Sequence, residues 1–317
     1  LRVLPENLPG RILKLMQNTI PQETPPVCSY EGSDYQSSFW DRGERKYEDA
    51  VEEIALRRLL ERSGRLMLEL GAGAGRNTPR YAGWDRVVLL DYSRTQLLQA
   101  RERLGESLRF VYVAADVYHL PFVAGLFDGA TLIRTLHHLA DPALALKSVR
   151  QVMTEDGIFI LEFANKRNFK SVLRYFLGRQ SWDPFDPTPI EFTKLNFDFH
   201  PKAVRTYLTE AGFSVQKQLS VSHFRAGWLK RHVPHGLLVG LDAILQWSGN
   251  WLQYSPSIFT RAMAQGASPA VPAGAFFRCP ICGHVLPETQ ADQTCPGCGH
   301  VWTFRDGIYE FRAHPEA

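Results

Sequence analysis

The chain has 317 residues, 44% of them hydrophobic and 22% charged, and its 36 basic and 33 acidic side chains leave a net charge of +3. That length predicts two folding units of ordinary globular composition. A charge this small does not mark a nucleic-acid binder, and no apolar run reaches the roughly eighteen residues that would span a bilayer. The first twenty residues contain Pro5, Pro9 and Gly10 and no compact apolar segment, so no export signal is read there and the cytoplasm is the expected location.

Residues 1–45, rich in Pro and polar side chains, predict an irregular arm lying on the main domain. In 46–62, Tyr47, Val51, Ile54, Ala55 and Leu59 fall on one stripe, which predicts a helix. Apolar runs follow at 66–70, 87–90, 110–114, 130–133 and 158–163. Helical patterns separate them or follow them at 93–104, 142–153 and 200–211, and later strands are expected at 213–221 and 257–264. Strands alternating with helices predict an α/β domain over 46–264, a parallel sheet covered on both faces. Residues 265–275 (QGASPAVPAGA) read as a linker separating two cores, the second at 276–317.

The first strand runs into LELGAGAGRN at 68–77. Gly71, Gly73 and Gly75 allow a sharp turn and a close ligand approach. Arg76 stands where a dinucleotide fingerprint would have its third glycine, and Glu69 suits a ligand carrying an amine better than one carrying a pyrophosphate. Asp91 ends the second strand, where a carboxylate can accept both ribose hydroxyls. Asp116, after the third strand, can accept from an adenine amino group. These acids sit at successive strand ends, where open α/β sheets bind ligands.

With LLDYS, AADVYHLPF, FDGATLIRTLHHLADP and QVMTEDGIFIL following in order, residues 66–163 resemble the class I S-adenosylmethionine-dependent methyltransferases, especially the small-molecule and quinone C-methyltransferase branch. The resemblance implies a Rossmann-like, doubly wound sheet of seven strands in the order 3-2-1-4-5-7-6. It implies Gly71, Gly73 and Gly75 beside the methionine part of the cofactor, Asp91 on the ribose, and Asp116 with Val117 at adenine, with Tyr92 also in the cofactor site. Glu69 and Arg134 complete the expected cofactor set. Methyl transfer rests mainly on alignment, so no catalytic residue is obligatory; His137 and His138, after the fourth strand, are the candidates for a general base.

Two insertions, 165–199 and 222–255, are expected to form a lid over the acceptor. Within the first, Phe169, Val172, Leu173, Phe176 and Leu177 form an apolar stripe, while Lys166, Arg167, Lys170, Arg174 and Arg179 supply charge with no acid among them. As a lid, the stripe would cover the acceptor pocket and the basic face would look outward. The reading favoured is a small-molecule or lipid-like acceptor, with peripheral contact to an anionic surface. An RNA acceptor on the basic lid and a non-catalytic cofactor-binding module are the alternatives.

Near the C-terminus, CPICG at 279–283 and CPGCG at 295–299 predict a four-cysteine zinc site of Cys279, Cys282, Cys295 and Cys298, with one structural zinc per chain. The stretch CPGCGHVWTFRDGIYEFR resembles the zinc-ribbon partners of tRNA and release-factor methyltransferases, here fused in cis. From 276 to 317, Arg278, Arg305 and Arg312 stand against Glu288, Asp292, Asp306, Glu310 and Glu316. This acidic balance predicts a ribbon that docks on its own methyltransferase domain or a partner protein rather than on phosphates.

Overall fold

Strands β1 (Gly64–Leu70), β2 (Trp84–Asp91), β3 (Phe110–Ala114), β4 (Phe127–Leu132) and β5 (Met153–Ala164) are parallel in the order 3-2-1-4-5. The computed structural model describes residues 25–33, 45–61 and 63–312. Most of the expected arm therefore lies outside the described residues. Short hairpin strands β6 (Ile190–Thr193) and β7 (Asn196–Asp198) follow β5. The sheet continues with β8 (Phe213–Val221) and β9 (Ser257–Ala264), β9 running antiparallel between β5 and β8. The expected 3-2-1-4-5-7-6 order is present, and β8 points the same way as β5. The strands are near-continuous apolar runs because helices cover both faces; Met67, Leu68 and Leu70 of β1 are all buried.

Helix α1 (Lys46–Leu59) buries the stripe through Tyr47, Val51, Ala55 and Leu59. Helix α2 (Arg94–Leu104) begins at Ser93, whose side chain accepts from the Gln96 amide, and α3 (Pro142–Val152) begins at Asp141, which accepts from Leu144 N at 2.9 Å. These caps satisfy amides left over in each first turn. Helix α4 (Phe169–Phe176) and the β6–β7 hairpin fill the first insertion. After α5 (Pro201–Glu210) and β8, α6 (Gly227–His232) and α7 (His235–Leu245) fill the second.

The expectation of two cores separated by a linker is corrected. Beyond the linker, β10 (Ala275–Arg278) pairs with β11 (Val285–Pro287), while β12 (Gln293–Thr294), β13 (Val301–Arg305) and β14 (Ile308–Glu310) join the main sheet. Strand β14 lies parallel to β3, Tyr309 opposite Val113, giving ten strands in all. Phe277, Trp302 and Phe311 belong to one buried apolar cluster with Leu66, Val111 and Phe122. Val123 N donates to Phe276 O at 3.1 Å, and Arg86 pairs with Glu288. A flexible linker sets no distance between the units it joins; here apolar burial on the β3 edge does, and the ladder protects that edge.

Candidate functional site

Leu70 ends β1, and the chain turns at Gly71 and Gly73, whose φ values are +64° and +53°. Only glycine takes this region without strain. A Cβ on Gly71 would meet Thr135 Oγ1 at 2.1 Å, whereas one on Gly73 would meet nothing nearer than Gln96 Oε1 at 3.9 Å. The turn is thus closed by protein at Gly71 and open at Gly73. Gly73 N donates to Asp91 Oδ2 at 2.8 Å, and Ser93 N donates to Oδ1 at 2.8 Å. Burial pushes the Asp91 carboxyl up, against these two donors. Each oxygen keeps lone-pair capacity for a ligand hydroxyl.

These residues line a cleft with about 950 Å³ of empty space, part of it open to solvent. Gly71, Gly73, Asp91, Tyr92, Val117, Arg134 and His138 are on its wall, together with Cys28 and Tyr30 of the arm and Gln96 of α2. Gln96 Oε1 is buried with no hydrogen-bond partner among the described residues, so the wall holds an acceptor that a ligand donor would satisfy.

The arm is tied to α2 and to His138, among other contacts. Glu31 accepts from Arg94 N at 2.8 Å and Thr95 N at 3.0 Å, a carboxylate on the first turn of α2. Tyr30 OH meets His138 Nε2 at 3.0 Å, and His138 Nδ1 meets Leu195 O at 3.0 Å. A carbonyl only accepts, so Nδ1 carries the proton and Nε2 accepts from Tyr30. Burial pulls the His138 pKa down, consistent with this neutral ring. His138 thereby joins arm, β4 end and β6–β7 hairpin. From the other side, Arg312 after β14 donates to Tyr92 O at 3.1 Å and Glu31 at 3.3 Å, and stacks over the Tyr92 ring.

Other expected residues lie off the cleft wall. Glu69 is turned back, accepting from Thr78 Oγ1 at 2.6 Å, and burial pushes its carboxyl up to about 7. Asp116 accepts from Tyr118 N at 2.9 Å and meets His119 Nδ1 at 3.2 Å. Gly75 packs against Leu104 and Ala100. Arg134 is on the wall, but its guanidinium pairs with fully buried Glu52, which also takes Arg76 at 2.9 Å. Burial would raise Glu52, yet the two arginines hold it down at about 2.

Beyond Arg134 lies a second polar group at the carboxyl edge of the sheet. His137 Nδ1, Ser222 Oγ and two guanidinium nitrogens of Arg225 are buried with no hydrogen-bond partner among the described residues. Arg225 acts electrostatically on His137 and on Asp198, whose carboxyl burial raises to about 6. Arg134, Leu195 and Ser222, non-glycine residues with positive φ, all border this region. Such strain clusters where surrounding structure holds a binding or reacting geometry.

The four ribbon cysteines meet at one point, with all Sγ atoms within 4.8 Å of one another. Cys279 Sγ lies 3.7 Å from Cys298 Sγ, and Cys282 Sγ 3.4 Å from Cys295 Sγ. Thiolates about 2.3 Å from one zinc in a tetrahedron stand about 3.8 Å apart, so the set fits that ion. The two knuckles share one pattern: Gly283 N donates to Cys279 O and Cys279 N to His284 O, as Gly299 N does to Cys295 O and Cys295 N to His300 O.

A family model described as a methyltransferase domain matches residues 68–161, from the glycine turn to β5. Residues 68–161 are thus similar to a methyltransferase domain. Over 111 residues it is 30% identical to the malonyl-acyl-carrier-protein O-methyltransferase of Geobacter sulfurreducens, a match covering 33% of this chain and 41% of that protein. Over 115 residues it is 28% identical to the ubiquinone/menaquinone biosynthesis C-methyltransferase UbiE of Cellvibrio japonicus, covering 34% and 46%. The chain thus spans less than half the length of these curated relatives. A chain from the solved complex between the Haloferax volcanii Trm112 methyltransferase activator and its partner shares the fold, with a TM-score of 0.53 at 15% identity over 73% of this chain and 96% of that one.

Within the matched segment, the glycine turn and Asp91 were legible from residue type and position. Cys28 and Tyr30 were missed because nothing in an irregular stretch says where it lies. Asp198 and Arg225 were missed because each is a single charged residue in an insertion; only the fold brings them to one edge.

Proposed function

We propose that the protein transfers a methyl group from S-adenosylmethionine to a small-molecule or lipid-like acceptor. The observation that carries this is Asp91, presented at the tip of β2 by the Gly73 and Ser93 amides in a cleft that Gly73 leaves open. Asp91 would accept the ribose hydroxyls, Gln96 Oε1 a ligand donor, and Val117 would flank the adenine. The bound cofactor supplies an activated methyl group on a sulfonium; the chain's part is to align, to exclude water and to manage one proton. His138 positions the arm rather than taking a proton, since both its nitrogens are engaged. Asp198, with a pKa near 6, would be ionised at neutral pH and fit to accept a proton, while Arg225 would bind an electron-rich acceptor group. One relative is named for malonyl-acyl-carrier protein and another for quinone biosynthesis, and an electron-rich group on such an acceptor would suit the arginine. We assign one structural zinc to the ribbon cysteines, to be checked by elemental analysis of protein purified without chelator.

Calorimetry with S-adenosylmethionine tests the cofactor assignment. Asp91→Ala should weaken binding by about 10- to 100-fold, the range for hydrogen bonds to a charged group, with the melting temperature little changed. Unchanged affinity would overturn the placement of the ribose.

A further inference from the structure

Among the described residues, 21 large hydrophobic side chains are exposed, and 16 of them lie in the two insertions, 165–199 and 222–255. Monomeric proteins seldom leave so much apolar surface in one place unless it meets an apolar partner. The lid expectation is reversed on this point. The α4 stripe faces outward, with Phe169 at 68% and Phe176 at 72% exposure. Helix α7 is inverted in the same sense. Leu238 and Asp242 turn inward, Asp242 accepting from Tyr47 OH at 2.7 Å, while Leu237, Leu241 and Ile244 look out, Ile244 at 71% exposure.

The two outward faces are joined. Phe169 N donates to Tyr254 O at 2.7 Å, and Arg167 stacks on the Tyr254 ring, so Trp251 and Leu252 continue the surface from α4 toward α7. The helices that carry it are basic. Lys170, Arg174, Arg179 and Arg231 are exposed around them, and the one acid of 222–255, Asp242, is buried. Exposed acids of the first insertion, Asp183, Asp186 and Glu191, sit in the hairpin stretch beyond α4. Lys166 is not part of the rim: it turns inward and donates to Asp186 O and Thr188 O.

We infer that this surface docks on an anionic lipid bilayer, and that the acceptor reaches the site from the membrane. A protein partner or a second copy would also cover apolar side chains. The bilayer is chosen because aromatic and aliphatic tips are ringed by cations on short amphipathic helices, the arrangement of segments that lie in a membrane interface. No helix among the described residues is long and apolar enough to cross a membrane, so the chain would lie on the bilayer through this face. Asp198 and Arg225 belong to these same two insertions, so docking would bring the proposed acceptor-binding groups close to the lipid. This last point rests on the proposed methyl transfer; the docking itself does not.

The test is co-sedimentation of the full chain with vesicles of pure phosphatidylcholine and of equimolar phosphatidylcholine and phosphatidylglycerol. Binding to the anionic vesicles is expected, weakened by salt. The double variant K170E/R174E should bind at least about 25-fold more weakly, since each basic residue near such a surface is worth about fivefold. Phe176→Glu and Ile244→Glu should each weaken binding while leaving salt dependence in place. All four positions are exposed and lie outside the cofactor cleft, so S-adenosylmethionine affinity should be unchanged and serves as the check on folding. No sedimentation with either vesicle, or equal sedimentation of parent and K170E/R174E, overturns the inference. So does a dimer in light scattering that Ile244→Glu dissociates, which would assign the face to a second copy. Because vesicle binding needs no turnover, its outcome is independent of whether methyl transfer is found.

Discussion

Two buried glutamates, seventeen residues apart in the chain, carry opposite pH signatures. Glu52 is held at about 2 by Arg76 and Arg134, well below an ordinary 4.5. The stability it contributes is fully present above pH 4.5 and is lost as pH falls toward 2, in all about 3 kcal/mol. Glu69 is pushed up to about 7, so it favours the folded state less as pH rises from 4.5 to 7. Glu52→Gln should therefore destabilise the protein at pH 7 and much less at pH 3. Glu69→Gln, which can keep the Thr78 and Tyr81 bonds, should stabilise it at pH 8 relative to the parent and do little at pH 4. Denaturant melts at the two ends of each range check both; parallel curves for either variant and the parent would contradict the assignment. Gly71→Ala and Gly73→Ala separate fold from ligand in the same way. Both carry the strain of a positive φ, but the first also drives a Cβ into Thr135 and should lower the melting temperature more, whereas the second meets open space in the cleft and should add a loss of cofactor affinity.

At the level of elements, the arm is the part of the cleft wall with the least structure of its own. Residues 25–33 make a single β-bridge, Val27 to Leu139, and are otherwise held by side-chain contacts, among them Tyr30 with His138, Glu31 with α2 and Arg312, and Ser33 O with Gln96. Tyr30→Phe removes one of these anchors without changing the ring, so S-adenosylmethionine affinity should fall several-fold, about the value of one hydrogen bond, by calorimetry. An unchanged affinity would mean that the remaining contacts hold the arm without Tyr30. The same contrast explains what the sequence disclosed. Strands β1 to β5 and helices α1, α2, α3 and α5 were legible because burial on both faces, or on one helical stripe, imposes a period on residue type. The 213–221 and 257–264 strands fall on β8 and β9. The arm and the β14–β3 pairing were not legible. Backbone ladders and isolated side-chain anchors impose no period, and a three-residue strand such as Ile308–Glu310 carries too little pattern to name its partner. The direction of the α4 stripe was also hidden, because a helical stripe shows that one face is apolar and not what it faces.

For the whole molecule, the ribbon is structurally continuous with the α/β domain, and this changes what metal loss should do. Taken from the linker alone, Cys295→Ser would unfold the ribbon and leave cofactor binding untouched. The observed packing argues otherwise. A module of this size depends on its metal, whose binding contributes on the order of 10–16 kcal/mol in such sites. Its unfolding would remove Phe277, Trp302 and Phe311 from the shared core, strip β14 from β3, and release Arg312 from Tyr92 and Glu31 at the cleft. Zinc-free protein should therefore bind S-adenosylmethionine about tenfold or more weakly, the lower end for a lost charged hydrogen bond, and should melt at lower temperature. Arg312→Ala, which keeps the cysteines and the ladder, separates the two routes. If it reproduces the affinity loss with zinc still bound, coupling runs through the Glu31–Tyr92 contact. If only zinc removal weakens binding, coupling runs through the β3 edge, whose C-terminal end leads into Asp116 and Val117. If neither does, the ribbon stabilises the sheet without touching the cofactor, and its effect should then appear in the melting temperature alone.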